Sequence, residues 1–126
     1  MKIHQGIDLL KIERIEKIFN RFSRRFLEKI FSKNELNQIQ EIKINKTDKI
    51  ASKFSVKEAV AKALGTGIAE GISFKDIEVL NLQNGKPTII LHRKAKNVLK
   101  DIISFDVSIS HDNGFVISIV TFLTID

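Results

Sequence analysis

The chain has 126 residues, 43% of them hydrophobic, which is the size of one domain with an ordinary core. It has no cysteine, which excludes disulfides, thiolate metal sites and cysteine nucleophiles and fits a cytoplasmic location, and no apolar run reaches the roughly 18 residues of a membrane span. The net charge of +6, concentrated in the first half, favours an acidic partner: nucleic acid, anionic lipid, a phosphorylated small molecule or an acidic protein.

The first half is predicted to form a short strand followed by helices. Residues 3–9 alternate apolar and polar and predict a strand that ends near Asp8. Isoleucines at helical spacing predict a helix over 11–19, and a second apolar series follows over 22–31. The capping-box pattern from Ser32 to Glu35 then predicts the start of another helix.

Residues 53–64 predict the main helix of the chain, because alanine and straight-chain residues dominate the segment. A turn at 45–48 precedes it, with Thr47 or Asp48 as the expected cap, and Gly65 is the expected stop. At about 100° per residue, an apolar stripe can face a core. A carboxylate and an ammonium one turn apart, Glu58 and Lys62, share the other face with Phe54, Ala61 and Gly65.

The second half is predicted to be mostly antiparallel strands. The sequence Asn84-Gly85 is a strong hairpin signal, and Pro87 belongs at the start or edge of the returning strand. We expect an α+β fold in a single domain over 1–126, with helices mostly first and strands mostly later. The predicted elements are strands at 77–82, 88–92, 105–110 and 115–122, and a helix at 95–103.

Asp8 and Glu58 are candidate metal ligands. Two carboxylates with a lysine nearby suit Mg²⁺ that is bound through protein carboxylates and a substrate phosphate. The alternative for Glu58 and Lys62 is a surface ion pair at i,i+4, worth about 0.2–0.5 kcal/mol. Spacing alone does not show that Asp8 and Glu58, fifty residues apart, meet in the fold. The sequence Gly65-Thr66-Gly67 fits either a helix stop or a loop that approaches an anion.

Three blocks of the chain, in order, resemble the bacterial holo-acyl-carrier-protein synthases, the small 4′-phosphopantetheinyl transferases. They are residues 6–15 (GIDLLKIERI), 54–67 (FSVKEAVAKALGTG) and 107–111 (VSISH), with 73–79 and 84–87 as further support. The resemblance covers nearly the full chain. It implies a 4′-phosphopantetheinyl transferase-like α+β fold, with N-terminal helices packed on an antiparallel sheet.

The resemblance also implies a reaction. Coenzyme A would donate its 4′-phosphopantetheine arm to a serine of apo acyl carrier protein, with adenosine 3′,5′-bisphosphate as by-product, in support of fatty acid biosynthesis. It implies Mg²⁺ held by Asp8 and Glu58, and Lys62 as the group that stabilises charge on the departing phosphate. The base that takes the serine proton stays open; Glu58, directly or through a metal-bound water, is the first choice. The assembly implied is a homotrimer with active sites between subunits.

Two further sets of residues follow from the resemblance alone. The expected carrier-docking residues are Arg14, Arg24, Arg25 and Phe26, with Phe26 as an exposed aromatic anchor. The expected coenzyme A contacts are Lys53, Lys62, Gly65, Thr66, Lys86, Pro87 and His111. Lys53 departs from the family, where arginine is usual, and Asp112 stands where a hydroxyl residue is common. These two departures put the nucleotide affinity in doubt.

Two other classes of function compete with the transferase. A nucleic-acid-binding module explains the charge, but the chain has no tryptophan or tyrosine to stack bases, so nucleic acid is not an expected partner. A membrane is not an expected partner either. The second competing class is a scaffold protein that binds a carrier protein but catalyses no reaction. The strand over 115–123 is apolar on both faces, which predicts burial on both sides, in the core or at a subunit contact.

Overall fold

The structure, a computed structural model, describes all residues from 1 to 126. It is an α+β fold, as predicted, and its N-terminal helices pack around an antiparallel sheet. In chain order the elements are β1 (Lys2–Lys11), α1 (Ile12–Ile30), α2 (Lys33–Gln40), α3 (Lys46–Leu64), a 3₁₀ turn (Phe74–Asp76), β2 (Ile77–Asn81), β3 (Pro87–Leu91), α4 (Arg93–Val98), β4 (Ile102–Asp112) and β5 (Phe115–Thr124).

The strands form two antiparallel sheets. The larger has the order β1-β5-β4, so the last strand of the chain lies at its centre, and the smaller is the β2-β3 hairpin. The pairing of β1 with β5 places Gly6 opposite Val120 and Asp8 opposite Ser118. Helix α3 packs against β1 and β5 on one side and against β2 and α1 on others, so it is the central element of the fold.

Helix α3 is buried nearly all round, unlike the two-faced helix that its sequence predicts. Val56, Val60 and Ala63 lie in the core as expected, but Ala61, predicted on the same face as Glu58 and Lys62, is also fully buried. The reason is tertiary: β1 and β5, β2 and α1 cover this helix from several directions. The exposed strip of α3 is therefore narrower than the polar face that its sequence predicts.

Gly6 lies where β1 approaches α3 closely. A Cβ atom at this position would lie 1.9 Å from the carbonyl oxygen of Ala59 and 2.7 Å from the nitrogen of Ala63. Strand β1 therefore lies directly on the backbone of α3. Asp8 is two residues further along the same strand, so its side chain points to the same side, toward α3.

Two strand and helix ends differ from the prediction. Asp8 is not at the end of β1, because pairing with β5 continues as far as Lys11 opposite Phe115. The predicted helix over 95–103 is shorter, ending at Val98, and Ile102 already pairs with Thr124 of β5. In both places a partner strand extends the β-structure beyond what local pattern indicates.

Two helix boundaries also differ. The two apolar series of the N-terminal region belong to one helical element, α1, which is broken at Ser23 (φ 48°, ψ −118°). Helix α3 begins after Asn45, whose backbone is left-handed, and neither Thr47 nor Asp48 is its cap. Asparagine is among the residues that most readily adopt this conformation. The capping box at Ser32 and Glu35 is present as predicted.

One face of the larger sheet is not covered by the rest of the chain. Along β5, the inward residues Val116, Val120 and Phe122 are buried, whereas Phe115 and Ile117 on the other face are 38% and 39% exposed. The chain's own core therefore covers this strand on one side only, and burial of the other side at a subunit contact stays a prediction. No helix of the structure has the length and apolar character needed to cross a membrane.

Candidate active site

The structure brings Asp8, Glu58 and Lys62 together. Asp8 points from β1 toward α3, and the ammonium Nζ of Lys62 lies 3.5 Å from its Oδ1. The same ammonium donates a hydrogen bond of 3.0 Å to the carbonyl oxygen of Ile7. Glu58, one turn before Lys62 on α3, feels the charges of Asp8, Lys62 and Arg14. The two carboxylates that the sequence separates by fifty residues therefore share one site.

The electrostatics of this site act mainly on Glu58. Burial raises the pKa of the Glu58 carboxyl, and the nearby charge of Asp8 raises it further, while Lys62 and Arg14 oppose the shift. A carboxylate with a raised pKa is a better proton acceptor than an ordinary one. Glu58 is therefore a partly exposed carboxyl that accepts a proton more readily than an ordinary one.

The donor set fits Mg²⁺. Nowhere in the chain do three or more His, Cys, Asp or Glu side chains gather into a group that could hold a metal ion. A cation at this site would have two carboxylates from the protein and would take its remaining ligands from water and a substrate phosphate. Mg²⁺ binds in this way, through one or two carboxylates and phosphate oxygens, whereas structural zinc needs a closed set of protein ligands.

Two serines that sequence reasoning did not single out support Asp8. The hydroxyl Oγ of Ser55, on α3, donates a hydrogen bond of 2.9 Å to Oδ2 of Asp8. The Oγ atoms of Ser55 and Ser118, the latter on β5, are 2.7 Å apart. Both serines are buried. A signal was available for Ser118, which interrupts the inward series of Val116, Val120 and Phe122 with a polar residue.

A cleft of about 820 Å³ contains three of the seven predicted coenzyme A contacts, Lys53, Pro87 and His111. This volume is within the range of about 300–1,000 Å³ that is usual for small-molecule sites. The walls combine apolar side chains with ammonium groups, an arrangement suited to an aromatic base carrying phosphates. Further lining residues are Ile42, Val79, Val107 and Ile109 on the apolar side, and Lys43 and Lys49 among the cations.

Lys53 is held in the wall of the cleft by three acceptors. Its Nζ donates to the carbonyl oxygen of Val79 (3.0 Å), to Oδ1 of Asn81 (2.7 Å) and to Oε1 of Gln38 (3.2 Å). An ammonium has three hydrogens, so all are used within the protein. Burial lowers the pKa of Lys53 to about 8; Glu35 opposes this and Lys57 adds to it. An anion in the cleft would therefore be attracted by the charge of Lys53. A direct hydrogen bond from Lys53 to that anion would require the loss of one of these three bonds.

His111 contacts α3 at the mouth of the same cleft. Its Nε2 lies 2.6 Å from Oγ of Ser52, which is on the first half of α3. Ser52 precedes Glu58 by six residues, which is about 9 Å along a helix and about 240° around it, so the cleft and the carboxylate site lie on different sides of α3. None of Asp8, Glu58 and Lys62 lines the cleft of the same chain. Asp112 follows His111 on β4, and strand alternation turns its side chain to the opposite sheet face. The acid therefore points away from the cleft side of β4.

Lys86, Gly65 and Thr66 are not placed in contact with these groups. The ammonium of Lys86 lies 3.5 Å from Asp106 on β4, beside the hairpin turn. Gly65 ends α3 in a left-handed conformation (φ 84°), as a helix stop requires, and the hydroxyl of Thr66 donates to the carbonyl of Gly67. The geometry fits the helix-stop interpretation, and nucleotide contact at all three residues stays a prediction.

The predicted docking residues lie on α1, but Phe26 is not the exposed aromatic that was expected. Its ring is half-buried and packs on Phe54, with ring centres 6.2 Å apart. The exposed aromatic of this helix is Phe22, at 46% exposure, with the guanidinium of Arg21 5.2 Å from its ring centre. Arg14, Arg24 and Arg25 are exposed, and Arg24 pairs with Glu28.

A buried ion pair anchors α3 on the side away from Asp8. The ammonium of Lys57 lies 2.8 Å from Oε1 of Glu35, and both side chains are fully buried. Lys57 also donates to the carbonyl oxygens of Phe74 and Ile77, while Glu35 accepts from the backbone of Val79. These bonds join α2, α3 and β2, so they fix the helix that carries both halves of the site.

The comparisons with known proteins identify the family of the chain. The family model of the 4′-phosphopantetheinyl transferase superfamily matches residues 5–120. The chain belongs to the 4′-phosphopantetheinyl transferase superfamily.

Within the family, the chain is similar to holo-[acyl-carrier-protein] synthases. That of Campylobacter hominis is 42% identical over 118 residues, covering 91% of this chain and 93% of the relative. That of Buchnera aphidicola is 43% identical over 120 residues, covering 93% and 94%. The crystal structure of the Helicobacter pylori synthase in complex with coenzyme A superposes with a TM-score of 0.81 and 38% identity, covering 94% of this chain and 99% of that one.

Proposed function

We propose that this protein transfers the 4′-phosphopantetheine group of coenzyme A to a serine of apo acyl carrier protein, in support of fatty acid biosynthesis. The observation that carries the proposal is the meeting of Asp8, Glu58 and Lys62 in a chain that also has, on another side of α3, a cleft of nucleotide size. The relatives named as synthases of holo acyl carrier protein support the choice of substrates. The products are holo acyl carrier protein and adenosine 3′,5′-bisphosphate.

The chemistry is a displacement at phosphorus. The serine oxygen of the carrier forms a bond to the β-phosphorus of coenzyme A, and the bond from that phosphorus to the adenosine-bearing phosphate breaks. Glu58 is the proposed acceptor of the serine proton; its raised pKa belongs to the carboxyl without a bound cation, because a cation would lower it. Lys62 is placed to stabilise the charge that grows on the departing phosphate. Asp8 and Glu58 would hold Mg²⁺, which when bound supplies charge neutralisation and orientation of the pyrophosphate.

The cleft is the proposed place of the nucleotide end of coenzyme A. Its apolar residues suit the adenine ring, and its ammonium groups, Lys43, Lys49 and Lys53, suit the phosphates. His111 and Pro87 line the same space. The complex of the Helicobacter pylori synthase with coenzyme A supports coenzyme A as the ligand by analogy.

The basic surface of α1 is the proposed docking site for the carrier. Arg14 lies close enough to Glu58 to lower its pKa, so this surface reaches the catalytic carboxylate. Arginine binds carboxylates through two parallel hydrogen bonds, which suits an acidic carrier. The exposed ring of Phe22, rather than that of Phe26, offers the aromatic contact.

The uncovered face of the larger sheet supports a homotrimer. It presents apolar side chains from two paired strands, interrupted by the polar pair of Gln5 and Thr121; they are Ile3, Ile7, Leu9, Phe115, Ile117, Ile119 and Leu123. Isolated soluble proteins rarely expose so large an apolar patch, and further copies of this chain are the proposed cover. Asp8 lies between Ile7 and Leu9 on the opposite side of β1, so assembly on this face would adjoin the active site. The proposed substrates place the protein in the cytoplasm.

The test is intact-mass spectrometry of an apo acyl carrier protein incubated with coenzyme A and this protein, with Mg²⁺ or with EDTA. The expected result is a gain of one phosphopantetheine on the carrier with the metal and none with EDTA. A carrier that a known transferase modifies, and that stays unmodified here, would contradict the proposed activity. Transfer at the same rate in EDTA would contradict the metal assignment alone.

A further inference from the structure

We propose that Ser118 and Ser55 form a two-step hydrogen-bond relay that positions the carboxylate of Asp8 for a divalent cation. The inference rests on the proposed function, because it assigns a purpose to residues behind a proposed metal ligand. It concerns positioning residues, since neither hydroxyl reaches the substrate. Three elements meet in the relay: Asp8 on β1, Ser55 on α3 and Ser118 on β5.

The direction of the relay follows from counting hydrogens. An ionised carboxylate only accepts hydrogen bonds, so Ser55 must donate its single hydroxyl hydrogen to Oδ2 of Asp8, at 2.9 Å. Ser55 then has no hydrogen left for Ser118. The contact of 2.7 Å between the two hydroxyls must therefore run from Ser118 to Ser55. A donor that itself accepts a hydrogen bond is polarised and donates more strongly.

The relay gives the two carboxylate oxygens of Asp8 different roles. Oδ2 of Asp8 is fixed by Ser55 in the buried seam between the helix and the sheet. Oδ1 faces Lys62, whose ammonium is 3.5 Å away and exposed. The carboxylate thus cannot rotate freely, and Oδ1 is the oxygen presented to the open side of the site. Hydrogen bonds to a ligating carboxylate commonly change metal affinity or activity by about 10–100-fold when removed.

The burial of both serines argues that the arrangement is specific. Ser55 is fully buried and Ser118 nearly so, at 1% exposure, and an unpaired hydroxyl in such a place is unfavourable. Neither forms a helix cap or turn. Ser55 bonds to both Asp8 and Ser118, whereas the side chain of Ser118 bonds to Ser55 alone, so the two hydroxyls form a chain that ends at a single carboxylate.

The experiment measures Mn²⁺ binding by electron paramagnetic resonance of the free ion, with coenzyme A present and with Asp8→Ala as the reference that lacks the ligand. We expect Ser55→Ala to weaken the Asp8-dependent binding about tenfold or more. We expect Ser118→Ala to weaken it less, and the double variant to bind no more weakly than Ser55→Ala alone. This non-additivity is the mark of one residue acting through the other.

The matched control is Thr124→Val. Thr124 is a fully buried hydroxyl on the same strand and face as Ser118, and it bonds to His4 rather than to Asp8. It should lower the melting temperature as the serine variants do, with unchanged Mn²⁺ affinity. Full Mn²⁺ affinity in Ser55→Ala, or additive losses in the double variant, would overturn the relay. If wild-type protein and Asp8→Ala bind Mn²⁺ equally, Asp8 is not a metal ligand. The proposed relay, which depends on that role, is then contradicted as well.

Discussion

The Lys62 ammonium lies 3.5 Å from Oδ1 of Asp8, on the oxygen that Ser55 leaves free. It also donates to the carbonyl of Ile7, so a cationic group already occupies the open side of this carboxylate. The Lys62 side chain is 53% exposed, and pairs of this kind contribute little and exchange easily. A divalent cation at Asp8 would therefore displace Lys62 toward the substrate phosphate, where the proposed mechanism needs it.

The first prediction is that Lys62→Met has opposite effects on metal affinity and on turnover. Without the ammonium, a divalent cation no longer competes for Asp8, so Mn²⁺ affinity should rise by a few-fold. The rate of transfer should fall by about 100-fold or more, because a transition-state charge has lost its stabilising group. Mn²⁺ binding and single-turnover rates measure the two effects separately. Lys100→Met, on an exposed loop, is the control that should change neither; parallel losses of both in Lys62→Met would contradict this assignment.

A second prediction concerns the contact between β1 and α3. Gly6→Ala would place a Cβ 1.9 Å from the backbone oxygen of Ala59, and neither backbone can yield without moving its element. We expect a loss of about 3 kcal/mol in the free energy of unfolding, at the upper end for overpacking, together with weaker Mn²⁺ binding because Asp8 moves with β1. Urea unfolding checks it. Gly114→Ala has open space around its Cβ and should cost only about 1 kcal/mol for its left-handed backbone.

The third prediction concerns pH. Burial lowers the pKa of Lys53 to about 8, so the cation is present below that pH and is lost as the pH rises through it. Affinity for adenosine 3′,5′-bisphosphate should therefore fall above pH 8. Because a bound anion raises the pKa of Lys53, binding near pH 8 should take up protons. Calorimetry in buffers of different ionisation enthalpy measures the uptake, which Lys53→Arg should abolish. Proton uptake that persists in Lys53→Arg would assign the effect to another group.

The same shift has a consequence for stability. An unfolded lysine titrates near about 10.4, so between about 8 and 10.4 the unfolded state binds more protons at this residue than the folded state. The contribution of Lys53 to the free energy of unfolding therefore rises with pH in that window. Lys53→Arg, which stays charged, lacks this rise, and urea unfolding at pH 8 and pH 10 compares the two proteins.

The fourth prediction concerns assembly. Ile117 lies on β5 at the centre of the uncovered sheet face, opposite Leu9. If copies of the chain meet there, Ile117→Glu should separate them into monomers and remove transfer activity, since a charge cannot be buried in an apolar contact. Light scattering measures the mass. Ile90→Glu, an exposed apolar position on β3 outside this face, is the control and should leave the mass unchanged. A wild-type monomer with full activity would contradict the proposed trimer.

The sequence was enough to predict the polar residues of the site, but not the packing contacts that position them. Asp8, Glu58 and Lys62 are candidates from their chemistry, but only the family resemblance puts them in one site, because nothing in local spacing shows that β1 meets α3. That contact depends on Gly6, whose importance appears only when the distance to Ala59 is known. Phe26 was misplaced for a similar reason: its helix breaks at Ser23, and the break turns its ring onto Phe54.

The parts that local pattern could predict are those in which local chemistry decides the conformation. The capping box at Ser32, the hairpin at Asn84-Gly85 and the stop at Gly65 all formed as expected, because each depends on residues within one turn. The uncovered face of β5 could not be seen, since an apolar residue looks the same in sequence whether its own chain or another copy covers it.

The last prediction separates docking from catalysis on α1. Arg14 lowers the pKa of Glu58, against the upward effects of burial and of Asp8, so it acts on the catalytic carboxyl as well as on a carrier. In Arg14→Glu both the cation and its effect are lost, and the pKa of Glu58 should rise further. The acidic limb of the pH profile for transfer should then move to higher pH, and the KM for the carrier should increase about tenfold.

Arg25→Glu is the matched variant, because Arg25 is exposed on the same helix but does not act on the pKa of Glu58. We expect it to raise the KM for the carrier with an unchanged acidic limb, and both variants to keep wild-type affinity for coenzyme A. Measuring the pH profile at saturating carrier removes the docking effect and leaves only the change at Glu58. An equal shift of the acidic limb in both variants would mean that the helix moved, and no rise in KM in either would remove α1 from the docking surface.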